Sequence, residues 1–169
     1  MSDCQNDGKY TGKLMFLEFA ETDDTSVDPR TLTFLKIGAT SSNNYTLTNN
    51  YADITDQDTG AVDASMLVGH SFECTQEGQE RDTDDVKSNQ AYLTKFMIDK
   101  ANAGDCCAVW LRCTDKTKII YAYCRIDSRA QTNSGPREAV TYSMSFMSTS
   151  TNETENPAVQ IDYVVAPAE

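Results

Sequence analysis

Basic residues and long apolar runs are the scarce features of this sequence. Lys and Arg number 14 against 26 Asp and Glu, so the formal net charge is −12. High-affinity nucleic-acid binding requires clustered Lys and Arg to neutralise phosphates, and the acidic balance argues against that class of protein. No apolar run approaches the roughly 20 residues that span a bilayer. We therefore expect no membrane insertion by this chain.

Metal ligands and catalytic signatures are scarce as well. His70 is the only imidazole, and no Cys-x-x-Cys pair has a second pair at metal spacing. The acidic segment Glu77–Asp85 lacks the spacing of a calcium loop and is interpreted as a solvated turn. His70 has no partnered Ser or Cys motif nearby, so we expect a strand residue packed with aromatic side chains. The sequence predicts no metal, no cofactor and no catalytic residue.

Six cysteines would allow a disulfide framework, but their positions favour free thiols. Four of them lie in strand-like apolar patterns, where a thiol behaves as a small hydrophobe. The start of the sequence, MSDCQNDGKYTG, has neither a basic nor an apolar signal region, which predicts a reducing cytoplasm. Cys106 and Cys107 are adjacent on a predicted strand, so a bridge between them would be strained.

One amphipathic helix is predicted, over Val86–Ala103. Asp84, Asp85 and Ser88 provide N-capping oxygens and negative charge for its positive end, and Gly104 stands where a left-handed stop is wanted. A lone amphipathic helix must cover its apolar stripe with a sheet. The residues predicted to pack against that sheet are Leu93, Phe96, Met97 and Ala101.

Alternating apolar and polar residues predict strands in the rest of the chain. The predicted strands are Lys13–Phe19, Thr31–Ile37, Ser65–Gln76, Cys107–Thr114, Lys118–Asp127, Glu138–Thr149 and Ala158–Val165. The alternation is cleanest in Glu138–Thr149, and half-buried strands have this pattern. Val140, Tyr142, Met144 and Phe146 form one face of that strand. Thr141, Ser143 and Ser145 form the other.

Three polar segments, approximately 1–12, 39–64 and 150–169, are predicted to be arms outside the core. Segment 39–64 is too long for an ordinary connection. Two interpretations stay open for it: a mobile surface loop, or an arm that becomes ordered only against another subunit. The whole chain, 1–169, is predicted to be one domain of mainly β (α+β) class. We expect an antiparallel β-sandwich or partial barrel with one α-helix packed on the outside.

From Ala52 to Thr149 the sequence resembles the major tail tube proteins of long-tailed, siphovirus-type bacteriophages. The resemblance rests on the order of four features: the Asp-rich stretch YADITDQDTGAVDASMLVG, the amphipathic helix with its Gly104 stop, the hairpin ending in YAYCRIDS, and the closing strand REAVTYSMSFMSTST. The chain departs from the family in lacking a Gly-Trp pair before the strand and in its number of cysteines.

The resemblance implies a structural virion protein, not an enzyme, that assembles into stacked hexameric rings. Such rings form the tail tube, the conduit for genome ejection. The implied partners are further copies of the chain, the tail initiator, tape measure and terminator proteins, and double-stranded DNA that passes without specific binding. The implied location is the virion tail, with assembly in the bacterial host cytoplasm.

The resemblance also suggests where candidate site residues lie. Lumen-facing positions are expected at Thr141, Ser143 and Ser145. An inter-ring loop is expected to include Tyr51, Asp53, Asp56 and Asp58. An acidic tube wall would repel DNA phosphates, whereas the same charge on an outer surface would only keep the subunit soluble. Both interpretations of the charge stay open.

A second hypothesis is a non-enzymatic binding module, such as a virion decoration protein or a carbohydrate-binding β-sandwich. It requires Trp110, Tyr121 and Tyr123 to line an open cleft. Trp110 lies in the middle of a predicted strand, which favours a core or interface position instead. An enzyme has the least support, because the sequence presents no paired carboxylates and no nucleophile–base pair.

Overall fold

A computed structural model of the chain describes residues 16–53, 65–80, 84–151 and 155–164. Eight strands and one α-helix follow each other along these residues: β1 (Phe16–Ala20), β2 (Leu35–Lys36), β3 (Ala39–Asp53), β4 (Ser65–Gln79), α1 (Asp84–Ala103), β5 (Ala108–Thr114), β6 (Lys118–Thr132), β7 (Thr141–Ser148) and β8 (Val159–Tyr163). A short 3-10 helix covers Pro29–Thr31. The predicted mainly β fold with a single α-helix is confirmed for this part of the chain.

All eight strands belong to one antiparallel sheet. Its order is β2-β1-β5-β6-β7-β4-β3, and β8 pairs with β6 outside this path. The sheet does not close into a barrel, because β2 and β3 stand at its two ends without pairing to each other. The expectation of a sandwich or partial barrel therefore becomes a single open sheet that carries α1 on one face.

Strand β6 joins the two parts of the sheet. One edge of β6 pairs with β5 as far as Arg125. The other edge pairs first with β8, over Lys118–Ala122, and then with β7, over Cys124–Thr132. A register shift between Ile126 and Ser128 marks a bulge at the junction, where a strand bends.

The main core lies between α1 and the sheet. Leu93 is fully buried, Phe96 is nearly so, and Met97 packs against the same cluster from its edge. Ala101 is exposed, contrary to its predicted packing. At about 100° per residue, Ala101 lies about 80° from Leu93 around the helix, at the border of the apolar stripe. The strands contribute Phe19, Phe72, Leu111, Ile120, Met144 and Phe146 to this core.

The helix ends as predicted at Gly104, whose φ is +72°. The N–H of Gly104 donates to the carbonyl of Ala101 (3.2 Å), and the N–H of Asp105 donates to the carbonyl of Lys100 (3.0 Å). This pair of hydrogen bonds is a Schellman motif, which needs a left-handed residue that glycine adopts without strain. The side chains of the N-capping candidates Asp84, Asp85 and Ser88 lie outside the described residues.

A second core lies on the opposite face of the sheet. Trp110, Tyr121 and Tyr123 are buried there with exposures of 0%, 6% and 9%. Leu32 and Phe34, from the segment after the 3-10 helix, pack over them. The open aromatic cleft that a binding module requires is therefore absent at these three residues.

Polar contacts between two distant segments hold the cover of this second core. Asn156 Nδ2 donates to the carbonyl oxygens of Thr25 (2.6 Å) and Val27 (2.9 Å). Arg30 donates from Nε to Asp162 Oδ2 (2.8 Å) and from its terminal nitrogen to Asp162 Oδ1 (2.6 Å). These bonds tie residues 25–30 to Asn156 and to β8, so polar groups of both segments find partners within the chain.

The segment predicted as strand Thr31–Ile37 is mostly not a strand. Pro29 begins the 3-10 helix, and Asp28 Oδ1 accepts a hydrogen bond from the N–H of Arg30 (2.9 Å). Proline pre-sets the φ of a helical first position, and an Asp at the preceding residue caps it, so the turn takes over residues that alternate like a strand. Only Leu35–Lys36 pairs with β1.

Within segment 39–64, which was predicted to be a loop or an arm outside the core, residues 39–53 form the 15-residue strand β3. This strand pairs with β4 from Ala39 to Asp53. Buried Gln76 donates from Nε2 to Thr40 Oγ1 (2.6 Å) and fixes the start of β3. An edge strand buries little of either face, so its Ser, Thr and Asn residues gave no strand pattern. Residues 54–64 lie outside the described residues.

Three cysteines confirm the expectation of buried free thiols: Cys74, Cys113 and Cys124. Burial raises the pKa of Cys74 to about 12 and that of Cys113 to about 11, so both thiols stay protonated. His70 is exposed, contrary to its predicted packing with aromatic side chains. It lies on the part of β4 that reaches past the core.

Candidate assembly surface

A polar sheet face lies opposite the main core on strands β3, β4, β7 and the second half of β6. Register places Ser143 between Glu77 and Ala130, Ser145 between Thr75 and Ser128, and Thr141 between Gln79 and Thr132. Strand β3 continues the rows with Ser42, Asn44 and Thr46. We call this surface the polar face. The three residues predicted to face a lumen lie together on it.

Small side chains of β7 lie at the centre of the polar face, while the alternate residues of the same strand are buried. Tyr142, Met144 and Phe146 point into the main core with exposures of 0–2%, which is the alternation predicted for this strand. Thr141 is exposed, and Ser143 and Ser145 are half-buried. The hydroxyl groups of Ser128 and Ser145 are 2.7 Å apart and hydrogen-bond to each other.

Carboxylates set the charge of the polar face. Glu73 and Glu77 lie on it, and their backbones pair with Met147 and Ser143 of β7. Arg125, next to Met147 in the register, forms an ion pair with Asp127 at 3.4 Å. The positive charge on this face is therefore balanced locally, and the two glutamates give the face a negative sign.

The ends of β3 and β4 form a two-stranded ribbon that reaches past the rest of the sheet. Strand β4 pairs with β7 only from Glu73 onward, whereas Ser65–Phe72 pairs with β3 alone. At about 3.4 Å per residue, this ribbon is about 24 Å long. We call residues 47–53 and 65–72 the arm. A two-stranded ribbon without further partners is marginally stable in water.

The arm carries an unusual share of exposed apolar side chains. The exposures of Leu47, Tyr51, Met66, Leu67 and Val68 are 44%, 59%, 54%, 55% and 56%. Asp53 is the single residue of formal charge in the arm, within a chain of net charge −12. Contiguous exposed apolar residues on a soluble chain mark an interaction site.

Both edges of the polar-faced sheet are open within the described part of the chain. Strand β3 has β4 on one side and no strand on the other. At the opposite edge, β6 runs on to Thr132 beyond Arg125, the last residue that pairs with β5. Strand β3 contains neither Lys nor Pro, the residues that natural proteins use to protect an edge.

Two of the four predicted inter-ring residues belong to the described part of the chain. Tyr51 and Asp53 lie exposed on the arm, while Asp56 and Asp58 lie outside the described residues. Ser65–Gln76 was predicted only as a strand of the sheet, so Met66, Leu67 and Val68 were not predicted as surface residues. Three consecutive large apolar residues are typical of a strand buried on both faces, so the run gave no signal of exposure.

The described residues hold no group of three or more His, Cys, Asp or Glu that could bind a metal ion. Within the same residues, no helix has the length and apolar character required to cross a membrane.

No protein-family model and no curated protein matches the chain. Solved structures match the chain. The tail of an empty gene transfer agent (GTA) particle, refined with helical C6 symmetry, is similar with a TM-score of 0.61 and 12% identity over 93% of this chain and 100% of that chain. The SPP1 tail tube is similar with a TM-score of 0.53 and 14% identity over 83% of this chain and 76% of that chain.

A third structure, the baseplate of the anti-feeding prophage (AFP), is similar with a TM-score of 0.51 and 5% identity over 96% of this chain and 97% of that chain. At these identities the likeness establishes the fold. The resemblance read from the order of sequence features is thereby confirmed: this chain has the fold of phage-type tail tube subunits.

Proposed function

We propose that the chain is a structural subunit of a phage-type tail, which assembles into stacked hexameric rings around a hollow axis. The observation that carries this proposal is a sheet that lacks partners in the described part of the chain. One of its faces is buried, and the other is polar with small side chains at its centre. Both of its edges are open, and an apolar arm extends from one end. Similar structures come from assemblies with C6 or six-fold symmetry.

Ring closure in this proposal joins the two open edges. Strand β3 of one copy lies beside the second half of β6 in the next copy, so that the polar-faced strands form a continuous barrel. Closure removes the exposed edges, which otherwise invite uncontrolled pairing. A head-to-tail contact of this kind closes when six rotations complete a circle.

The polar face would then line the lumen, with Thr141, Ser143 and Ser145 at its centre. Small hydroxyl side chains would make few contacts with DNA, and Glu73 and Glu77 would repel its phosphates. Double-stranded DNA would pass without specific binding during genome ejection. The placement of two carboxylates on this face favours a role in passage over a role in solubility alone.

The arm would contact the next ring through Tyr51 and Asp53, and we propose the same role for Asp56 and Asp58. This role requires no enzyme activity and no cofactor. The further partners proposed are the tail initiator, tape measure and terminator proteins, and the proposed location is the virion tail, assembled in the host cytoplasm.

Negative-stain microscopy of the purified chain at increasing concentration tests the proposal. We expect hollow six-fold rings and filaments built from them. A chain that stays monomeric at high concentration, even when the tail initiator is present, would contradict it.

A further inference from the structure

A groove runs between α1 and the far end of the polar-faced sheet. It encloses about 450 Å³. Its lining includes Ala91, Thr94 and Ile98 of the helix, Glu80 after β4, and Arg129 and Gln131 of β6. Ile98 is 56% exposed, although it belongs to the helix that covers the core. The groove therefore offers apolar surface that the described residues leave open.

The charges around the groove are paired. The guanidinium of Arg129 donates to Glu80 Oε1, and the two side chains are 11% and 19% exposed. On the helix, Lys95 forms an ion pair with Asp99 one turn further along. Atom Nε of Arg129 is buried without a hydrogen-bond partner. An uncharged occupant would cover the apolar wall without leaving a charge unpaired, and that is the favourable case for burial.

The arm and the groove lie at opposite ends of the same strand. The arm leaves the sheet at Phe72, and the groove begins at Glu80, about 27 Å further along β4 at 3.4 Å per residue. Copies that stack along the strand direction would bring the arm of one copy to the groove of the next. This arrangement is a heterologous contact, which continues into a filament.

The net charge of the chain also limits which surface of a second copy can occupy the groove. Two copies of a chain of net charge −12 repel each other, so a contact between copies must use weakly charged surface. The run Met66, Leu67 and Val68 meets that requirement, since it is exposed and uncharged, whereas Asp53 and the Asp residues of segment 54–64 lie outside this run.

We propose that the groove between α1 and the end of β6 is the acceptor for the arm of a second copy, with Leu67 against Ile98. This inference rests on the proposed stacking of rings. It adds which surface receives the arm, and it assigns the Glu80–Arg129 pair the role of a rigid wall.

Site-directed cross-linking of mixed variants tests the inference. One variant carries Leu67→Cys and the other carries Ile98→Cys, both on a Cys4→Ser, Cys106→Ser, Cys107→Ser background that leaves only the buried thiols Cys74, Cys113 and Cys124. A control variant carries Tyr163→Cys, at an exposed residue of β8. Filaments of the mixed variants are treated with a short bis-maleimide, and dimers are counted on a denaturing gel.

We expect dimers when Leu67→Cys is mixed with Ile98→Cys, and their loss when Tyr163→Cys replaces Ile98→Cys. Filaments that form without the Leu67–Ile98 cross-link, or that cross-link Leu67 to Tyr163, overturn the acceptor groove and leave the tube proposal intact. If the unmodified chain forms neither rings nor filaments under any of these conditions, the tube proposal fails and the acceptor groove fails with it.

Discussion

Two regions of the sheet differ in how much of their surface a single chain buries. Around β5 and the first half of β6, both faces are buried: Leu111 lies in the main core and Trp110 in the second, each at 0% exposure. On β3, β4, β7 and the second half of β6, the sheet has one polar face, two open edges and an apolar arm. The first region is complete within a single chain, whereas the second lacks partners.

This difference separates stability from assembly. Substitutions in the β5–β6 region should lower the free energy of unfolding of the single chain. Substitutions on the arm or the polar face should leave that free energy nearly unchanged and alter what copies do together. The experiments below test this separation, from the largest expected effect on its own readout to the smallest.

Trp110→Ala should destabilise the single chain most. Removal of a fully buried indole leaves a cavity in the second core, at a cost of about 3–5 kcal/mol. Denaturant unfolding of the monomer measures it. Tyr163→Ala is the control, because this aromatic residue is 71% exposed, and we expect a change within about 0.5 kcal/mol. Equal effects of the two substitutions would erase the distinction between the regions.

Leu67→Glu should prevent filament formation while the monomer stays folded. The side chain is 55% exposed in the single chain, so the free energy of unfolding should change by no more than about 0.5 kcal/mol. In an assembled contact, the new carboxylate would be buried without a partner. Negative-stain microscopy provides the readout. Leu35→Glu, at a 44% exposed leucine of β2, should still assemble; a Leu67→Glu chain that forms normal filaments would rule out the arm as a contact.

Asp115 should make the β5–β6 hairpin sensitive to acid. Although burial raises the pKa of this carboxyl, hydrogen bonds from the backbone N–H groups of Thr117 (2.7 Å) and Lys118 (2.9 Å) outweigh burial and lower the pKa below 3.8. A lowered pKa stabilises the fold at pH values above the pKa of the unfolded chain. That stabilisation is lost as the pH falls through the lower pKa of the folded chain.

Asp115→Ala should therefore cost about 1–3 kcal/mol at neutral pH, and the difference from the unmodified chain should shrink below pH 3.8. Denaturant unfolding at a series of pH values from about 7 to about 2 measures this difference in the free energy of unfolding. Asp115→Asn keeps an accepting oxygen and removes the titration, so it should lose less at neutral pH. A pH-independent difference for Asp115→Ala would contradict the role of the charge.

Ser143→Lys should have the smallest effect on folding and a clear effect on DNA. Ser143 is half-buried at the centre of the polar face, and a lysine there can extend into the open space, so we expect a stability change within about 0.5 kcal/mol. Tubes of this variant should retain double-stranded DNA, with retention that weakens as salt rises. Ser143→Asn is the uncharged control. Lysine tubes that hold no more DNA than asparagine tubes would place this face outside the lumen.

Much of the fold was predictable where a local pattern coincided with burial. The alternation around Met144 predicted both faces of β7, and Gly104 predicted the end of α1. The prediction failed where neighbours override local preference. Ala101 lies at the border of the helical stripe, and Pro29 converts a strand-like segment into a turn. Within the candidate site, Ser143 shares one strand face with Thr141 and Ser145 as predicted, whereas the exposure of the apolar residues Leu67 and Val68 was not predicted.

Sequence alone was sufficient for the class of fold, for the single helix and for the polar side of β7, because periodicity reports directly which face meets the core. Tertiary pairing was needed to reveal β3 and the arm, because an edge strand with two exposed faces has no periodicity to report. The same pairing brought Glu80 to Arg129 and left the sheet open at both edges. Those contacts depend on which distant strands meet, and local residue order does not encode that choice.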